Sequence, residues 1–398
     1  MANPLVIYAL KLHEKICSYH APSHILYWKV SSTTLGGEYA SYPQKSQCLI
    51  PWYLSNIIVF GGIFVTEGNF LTLFLSHRET DIPVVYTGFS FAVGIFGVFT
   101  LGVNTVFFSY AEEYAQSLNA LLRYGKEVQL SYTKRKTKRR NMSDNLVGMF
   151  ALWLVIFCNI VPFLLVPAEW LAGYDPTLWI FQMILGRNFE EALWPGFRLI
   201  LLVIRLSLSL AYLSEIYRAF CVICMIMLLE PPIYLLCLEN FDKESLDYPA
   251  VRKYWNLCRI RNVTLKCCGQ MTGILLGLGF VVLIVTHVAC LLYWDRFNGP
   301  MLGCVVGATI VLDCLLNTVF PWVAKLYDVS NGLVKKWRKE NAERTGRRWQ
   351  RQHLEMLLKA TKSIGYRVGN VGVIKQETKL CYYQAVLNSF SDLALALN

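Results

Sequence analysis

The chain has 398 residues, of which 55% are hydrophobic and only 16% are charged. Such a composition, with apolar runs of about 20 residues or more, excludes a soluble globular domain and indicates an all-α polytopic membrane protein. The formal net charge of +11 could favour nucleic acid, but the basic residues lie between the apolar runs and report membrane topology instead. We therefore expect no nucleic-acid partner.

The first half of the chain contains three apolar runs that are long enough to be transmembrane helices. A cytosolic N-terminal segment, residues 1–48, is predicted to hold one or two short helices before the first span at 49–76. A tight connection leads to the second span at 82–109. A basic segment at 110–143 separates that span from the third, at 145–166.

The fourth span, 197–230, follows an acidic loop at 168–196 and is longer than a membrane is thick. As one helix it would measure about 50 Å, against a hydrocarbon core of ~30 Å. Pro231 and Pro232 are expected to stop the helix, although apolar residues continue to position 238. Apolar helix surface outside lipid needs a protein partner, so we predict a cytosolic extension packed against other helices at a subunit interface.

The second half adds three further spans. A cytosolic segment at 239–268 precedes the fifth span, 271–294, and the sixth, 301–324, which complete a transmembrane region over residues 49–325. A long basic segment, 326–379, is expected to be a cytosolic helix docked on the extension of the fourth span. Binding of calmodulin or anionic lipid is the alternative for this segment.

The distribution of basic residues orients the chain in the membrane. Most of the 38 lysines and arginines lie in the segments assigned to the cytosol, and the opposite loops hold only Arg78, Arg187 and Arg296. The positive-inside rule then predicts a cytosolic N-terminus and, after seven spans, an extracellular C-terminus.

The last stretch, residues 380–398, is just long enough to cross a bilayer and carries a polar stripe. Gln384, Asn388 and Asp392 recur every four residues, so they share one face of the helix, and Ser391 lies beside Asp392. A carboxylate inside a membrane costs at least ~2.5 kcal/mol on insertion scales, so it usually faces protein or water. The stripe is predicted to line an aqueous path, the alternative being that its polar groups pair with other helices.

Polar residues in the outer halves of the spans suggest a ligand pocket. With this topology Glu67, Arg205 and His287 lie at broadly comparable depth. Simple pairing of Glu67 with Arg205 is one interpretation, and a pocket open to the outside is the other. Including its apolar walls, the predicted pocket consists of Glu67, Tyr86, Phe89, Arg205, His287 and Trp294.

Deeper in the predicted bundle, Glu215, Arg218 and Asp313 are expected to form a structural network. No nucleotide-binding loop, zinc-protease motif or serine-hydrolase motif is present in the sequence, and the six histidines show no metal-ligand spacing. We therefore expect neither enzyme activity nor a bound metal or cofactor.

The layout resembles that of the arthropod gustatory and odorant receptor superfamily. The likeness is strongest in residues 365–398, where the sequence from Gly369 to Lys379 leads into the final helix as in gustatory-like members. The family signature in this helix is Thr-Tyr, five hydrophobic residues and Gln-Phe. This chain departs from that signature, with Ser389 and Phe390 at the first pair and Ala396 and Leu397 at the second.

The resemblance implies a homo- or heterotetrameric, ligand-gated, non-selective cation channel of the plasma membrane. Its partners would be a small extracellular, gustatory ligand, permeant cations and membrane lipid. In that family the last helix lines the pore and the cytosolic ends of the fourth to seventh helices form an anchor. Carried over by position, the pore-lining residues are Gln384, Asn388, Ser391 and Asp392.

Two other classes of protein remain as alternatives. A G-protein-coupled receptor also has seven spans, but it would place the N-terminus outside, against the charge distribution. A transporter would often show inverted repeats and broken helices in the membrane.

Overall fold

The computed structural model describes residues 4–20, 45–75, 84–133, 142–171, 194–292, 294–296, 299–344, 348–368 and 372–397, with Thr177 and Phe181. These ranges hold nine α-helices: α1 (Pro4–His20), α2 (Lys45–Leu75), α3 (Val84–Thr133), α4 (Met142–Leu171), α5 (Pro195–Phe241), α6 (Tyr248–Leu292), α7 (Gly299–Glu343), α8 (Arg348–Ala360) and α9 (Gln376–Leu397). A 3₁₀ turn at Trp294–Arg296 follows α6, and strands β1 (Arg367–Val368) and β2 (Gly372–Val373) pair antiparallel before α9. The predicted connection at 77–81 and most of the acidic loop lie outside the described residues.

Seven of these helices, α2 to α7 and α9, are long enough to cross a bilayer. The shortest of them, α9, has 22 residues, and about 20 helical residues span the ~30 Å hydrocarbon core. In the described part of the chain, α4, α5 and α7 carry long apolar windows typical of membrane spans. Shorter apolar stretches at Val93–Val106 and Leu276–Leu291 mark the membrane parts of α3 and α6.

The predicted boundaries between spans and cytosolic segments fall inside continuous helices. α3 has 50 residues, and α6 and α7 have 45 each. At ~1.5 Å per residue these helices are about 65–75 Å long, so each projects well beyond the membrane. The projecting parts of α3, α5, α6 and α7, with α8 and the hairpin, form one packed unit that we call the basic end.

α5 continues through Pro231 and Pro232 to Phe241, so the predicted stop at these prolines is wrong. A proline inside a helix removes a hydrogen bond and costs about 3 kcal/mol or more. Burying one large apolar side chain contributes roughly 1.5–3 kcal/mol, so several buried residues offset two prolines. Five residues beyond the prolines are at most 4% exposed: Ile233, Tyr234, Cys237, Leu238 and Phe241.

This extension of α5 is covered by other helices of the same chain. The ring centroid of Phe241 lies 6.2 Å from that of Tyr124 on α3, 6.0 Å from Tyr254 on α6 and 6.3 Å from Trp337 on α7. Tyr254 and Trp337 are fully buried. The expected packing against other helices thus occurs within the chain, and the expected subunit interface stays a prediction.

Two shorter helices complete the bundle. α1 packs on α4 and α5 through buried Val6, Ala9 and Leu10. Within segment 1–48, the structure describes α1 and the beginning of α2. The part of α7 that projects beyond the membrane, which we call its arm, packs along α5. Helix α8 folds back on α7 and α6, with Leu354 and Leu358 buried.

Candidate pore helix and ligand cavity

α9 packs one face on the bundle. Val386 is buried, and Tyr382, Phe390 and Leu393 pack beside it against α6 and α7. Tyr382 also attaches α9 to α6, because its hydroxyl donates to the Leu276 carbonyl at 3.0 Å. The apolar residues of α9 therefore serve as its docking face.

The predicted pore residues share the opposite face of α9. Gln384, Asn388, Ser391 and Asp392 are all exposed. Ser391 Oγ donates to the Leu387 carbonyl of its own helix at 2.9 Å. No hydrogen bond or ion pair joins the other three to another helix within the described residues. Pairing with other helices of the chain thus does not account for the stripe.

A buried ion pair fixes the segment that leads into α9. Arg261 Nη1 on α6 lies 3.3 Å from Glu230 Oε2 on α5, and both side chains are at most 2% exposed. The Tyr114 hydroxyl donates to Glu230 Oε1 at 2.7 Å and the Tyr366 hydroxyl donates to Oε2 at 3.2 Å. The Arg261 guanidinium also lies 3.6 Å from the centre of the Tyr366 ring. The two tyrosine hydroxyls satisfy the Glu230 carboxylate, which offsets part of the cost of burying this pair.

A second set of contacts, around Ser330 on α7, holds the same segment. The Ser330 and Tyr254 oxygens are 2.6 Å apart, and the Ile364 N–H donates to Ser330 Oγ at 2.6 Å. The Tyr254 hydroxyl also reaches the Lys362 carbonyl at 3.2 Å. Residues 361–368 and 372–375 therefore form a strap tied to α6 and α7. Gly372, the first residue of β2, has a φ of +155°, which favours glycine.

An apolar cavity of about 90 Å³ lies among α3, α4, α5, α6 and α7. Its walls include the rings of Phe96, Phe157 and Phe220. Polar atoms come only from Tyr217, Thr286 and Cys304 among the lining side chains. The Thr286 hydroxyl already donates to a carbonyl of its own helix at 3.2 Å. The cavity suits a small, uncharged, largely apolar molecule.

None of the six residues of the predicted pocket lines this cavity. Glu67 turns its carboxylate towards Gly94 on α3, and no ion pair joins it to Arg205 in the described structure. Arg205 is buried, with 5% of its surface exposed. Trp294 is exposed on the 3₁₀ turn. The predicted pocket residues Tyr86 and Phe89 lie on α3, but their side chains are outside the described part.

His287 pairs with α7 rather than facing Glu67. Its Nε2 lies 3.6 Å from Asp313 Oδ2, and its Nδ1 lies 2.7 Å from the Leu283 carbonyl oxygen. The predicted pocket at these residues stays a prediction. The cavity residues were missed because they are ordinary apolar residues of five helices and leave no local signal in the sequence.

The deeper polar network forms, but with different members. Arg218 Nη2 and Glu215 Oε2 are 2.5 Å apart, and the Ser55 hydroxyl donates to Glu215 at 2.7 Å. Arg218 also approaches Asn104 Oδ1 at 3.5 Å. The network joins α2, α3 and α5, whereas Asp313 belongs to the His287 pair instead.

Comparison with known proteins bears on the fold. No protein-family model and no curated protein match the sequence. The structure of the insect olfactory receptor OR5 from Machilis hrabei is similar, with a TM-score of 0.61 and 9% identity over 98% of each chain. The structure of that receptor in complex with eugenol gives a TM-score of 0.62 and 9% identity over 99% of this chain and 100% of that one.

This likeness confirms the predicted fold. The chain is an all-α membrane protein with seven transmembrane helices and the fold of an insect olfactory receptor. The resemblance inferred from the sequence is thereby confirmed as a shared fold. The orientation of the termini stays a prediction.

Proposed function

We propose that the chain is a chemosensory receptor that acts as a ligand-gated, non-selective cation channel of the plasma membrane. It assembles as a tetramer around four copies of α9. The observation that carries this proposal is the exposed polar face of α9, with Asp392 near the end of the helix remote from the basic end.

The face cannot be turned to lipid, because a carboxylate in hydrocarbon costs at least ~2.5 kcal/mol. Apolar side chains lie within the same exposed half of the helix: Leu380, Leu387 and Leu395 are 72%, 62% and 77% exposed. Both kinds of residue find a suitable environment when the apolar residues contact neighbouring copies of the helix and the polar stripe faces water. Four copies of Asp392 then form an acidic ring that attracts cations.

The ligand site that the geometry favours is the apolar cavity among α3 to α7. Its walls call for an uncharged molecule with few hydrogen-bonding groups, and eugenol, bound by the neighbour of the same fold, is a small aromatic compound of this kind. The pocket predicted at Glu67, Arg205 and His287 remains the alternative. Ala308 lines the cavity and Glu67 does not. Ala308→Trp therefore alters the cavity and Glu67→Gln alters the alternative pocket, so the variant that changes the response to ligand identifies the site.

The proposal is tested by current recordings from cells that express the chain, with eugenol as the first probe. Asp392→Asn should lower cation conductance and weaken block by divalent cations, most clearly at low ionic strength, where the ring is least screened. Asp328→Asn removes the same charge at an exposed position on the arm of α7 and serves as the control. Unchanged permeation in a conducting Asp392→Asn channel would contradict the pore assignment, and a monomeric native mass would contradict the tetramer.

A further inference from the structure

A second cavity, of about 80 Å³, lies beside the proposed pore helix, between α3, α5, α6, α7 and α9. Phe96, Phe220 and Leu312 line both cavities and form the partition between them. The rings of Phe96 and Phe220 meet edge to face with their centroids 6.2 Å apart. The two cavities therefore adjoin at these three residues, and of the two the second one reaches α9.

The walls of the second cavity are almost entirely hydrocarbon. Tyr382 and Cys224 are the lining residues with polar side-chain atoms, and the Tyr382 hydroxyl already donates to the Leu276 carbonyl at 3.0 Å. A charged or strongly polar occupant would lose its hydration with nothing to replace it. A hydrocarbon group loses nothing of this kind, and apolar cavities in proteins do bind small hydrocarbons.

The cavity reaches the point where α9 attaches to the bundle. Tyr382 lies two residues before Gln384, the first residue of the polar stripe. Its ring packs on Phe280 and Phe320 with centroid distances of 5.8 and 5.4 Å. An occupant of the second cavity therefore touches the residue that holds the pore helix in place.

We propose that this second cavity is a binding site for an uncharged hydrocarbon group, supplied by a lipid acyl chain or by a small apolar molecule. The occupant contacts α9 through Tyr382. Binding itself does not depend on the proposed channel function, and only an effect of the occupant on the pore rests on it.

Two glycines of α6 provide a matched pair of variants. Gly279 lines the cavity, and a Cβ added there would meet only the Tyr382 hydroxyl within 4 Å, at 3.5 Å. Gly279→Leu therefore adds a branched side chain at the wall of the cavity, where its Cβ has room. Gly277 is exposed, lines neither cavity, and would meet nothing within 4 Å, so Gly277→Leu is the control.

The test is photolabelling of the purified full chain in lipid nanodiscs, with cross-linked residues mapped by mass spectrometry. One probe is a phospholipid with a diazirine at the end of an acyl chain, and the other is a small diazirine-bearing alkylbenzene. Cross-links at cavity residues such as Met227, Leu316 and Tyr382 are expected in the wild type and in Gly277→Leu. They should be lost in Gly279→Leu.

The two probes distinguish the sources of the hydrocarbon. Labelling by the phospholipid alone identifies an acyl chain, and labelling by the alkylbenzene that excess unlabelled alkylbenzene displaces identifies a small molecule. The proposal is overturned if labelling survives Gly279→Leu undiminished. It is also overturned if cavity residues are labelled no more than Leu199 and Ile200, which are exposed apolar residues of α5.

A second variant keeps the test decisive if Gly279→Leu fails to fold. Leu316→Trp fills the same cavity from α7 and should give the same loss of labelling. Photolabelling requires no current, so an absence of channel activity leaves this result intact. Conversely, a failure to label overturns the second site without affecting the proposed channel.

Discussion

Tyr212 on α5 shows how closely single residues fit where α2, α3 and α5 meet. Its hydroxyl donates to the Val93 carbonyl of α3 at 3.2 Å, and its ring lies directly against Gly62 of α2. A Cβ at position 62 would overlap the carbons of that ring. Only glycine therefore allows α2 and α5 to approach this closely.

We predict that Gly62→Ala destabilises the protein, because inserting a methyl group into a closely packed contact costs typically about 1–3 kcal/mol. Gly61→Ala is the control, because a Cβ at this exposed neighbour would meet nothing within 4 Å. Thermal unfolding in detergent should show a lower Tm for Gly62→Ala and an unchanged or raised Tm for Gly61→Ala. Equal values for the two variants would contradict the close contact with Tyr212.

The buried pair of Glu230 and Arg261 makes a second residue-scale prediction. Arg261→Met leaves Glu230 buried without its counter-charge, which costs about 3–5 kcal/mol. Lys336→Met removes an exposed pair with Asp242, in which the N–O distance is 2.9 Å and both side chains are about half exposed, so it should cost only about 0–1 kcal/mol. Denaturant unfolding that ranked the two variants equally would show that burial does not set the strength of these pairs.

At the scale of elements, the sequence predicts what is local and misses what depends on register between helices. The stripe of Gln384, Asn388 and Asp392 can be found because its spacing of four is a property of one helix. The pairing of His287 with Asp313 depends on the register between α6 and α7, and residue spacing within one helix does not reveal that register. The continuation of α5 past Pro231 depends on burial by three other helices, which outweighs the local preference of proline.

The strap, residues 361–368 and 372–375, leads directly into α9. We predict that Ser330→Ala loosens it, because the Ile364 N–H loses its acceptor and Tyr254 loses its hydroxyl partner. A buried group left without a partner costs about 1–3 kcal/mol. Hydrogen exchange followed by mass spectrometry should quicken in the strap while the membrane parts of α3 and α5 stay protected.

Ser363→Ala provides the comparison for the strap. Its hydroxyl makes one long contact, 3.4 Å to Asn331 Oδ1, and so should change exchange little. Exchange that rises equally in both variants, or throughout the chain in Ser330→Ala, would contradict a local role for the Ser330 contacts.

At the scale of the whole molecule, the two ends of the bundle are built differently. The basic end has a dense core that contains the fully buried Trp337, Arg261 and Tyr254. The membrane part contains the two cavities and exposes one face of α9. A densely packed basic end beside a membrane part with cavities suits the proposed channel, in which ligand binding would shift the population of pore conformations.

The orientation of the whole chain is the last prediction, and the pore and ligand assignments both depend on it. An odd number of crossings puts the termini on opposite sides, and the basic end is expected in the cytosol. An epitope tag at the N-terminus should therefore be stained only after the membrane is permeabilised, and a tag at the C-terminus should be stained on intact cells. The reverse pattern would favour a G-protein-coupled receptor.

The reverse pattern would also place Asp392 at the cytosolic mouth of the pore. This residue lies 16 positions beyond the start of α9, or about 24 Å along the helix from the basic end. A ring there could not draw cations from outside, so the proposed role of the Asp392 ring in attracting extracellular cations would be wrong together with the orientation.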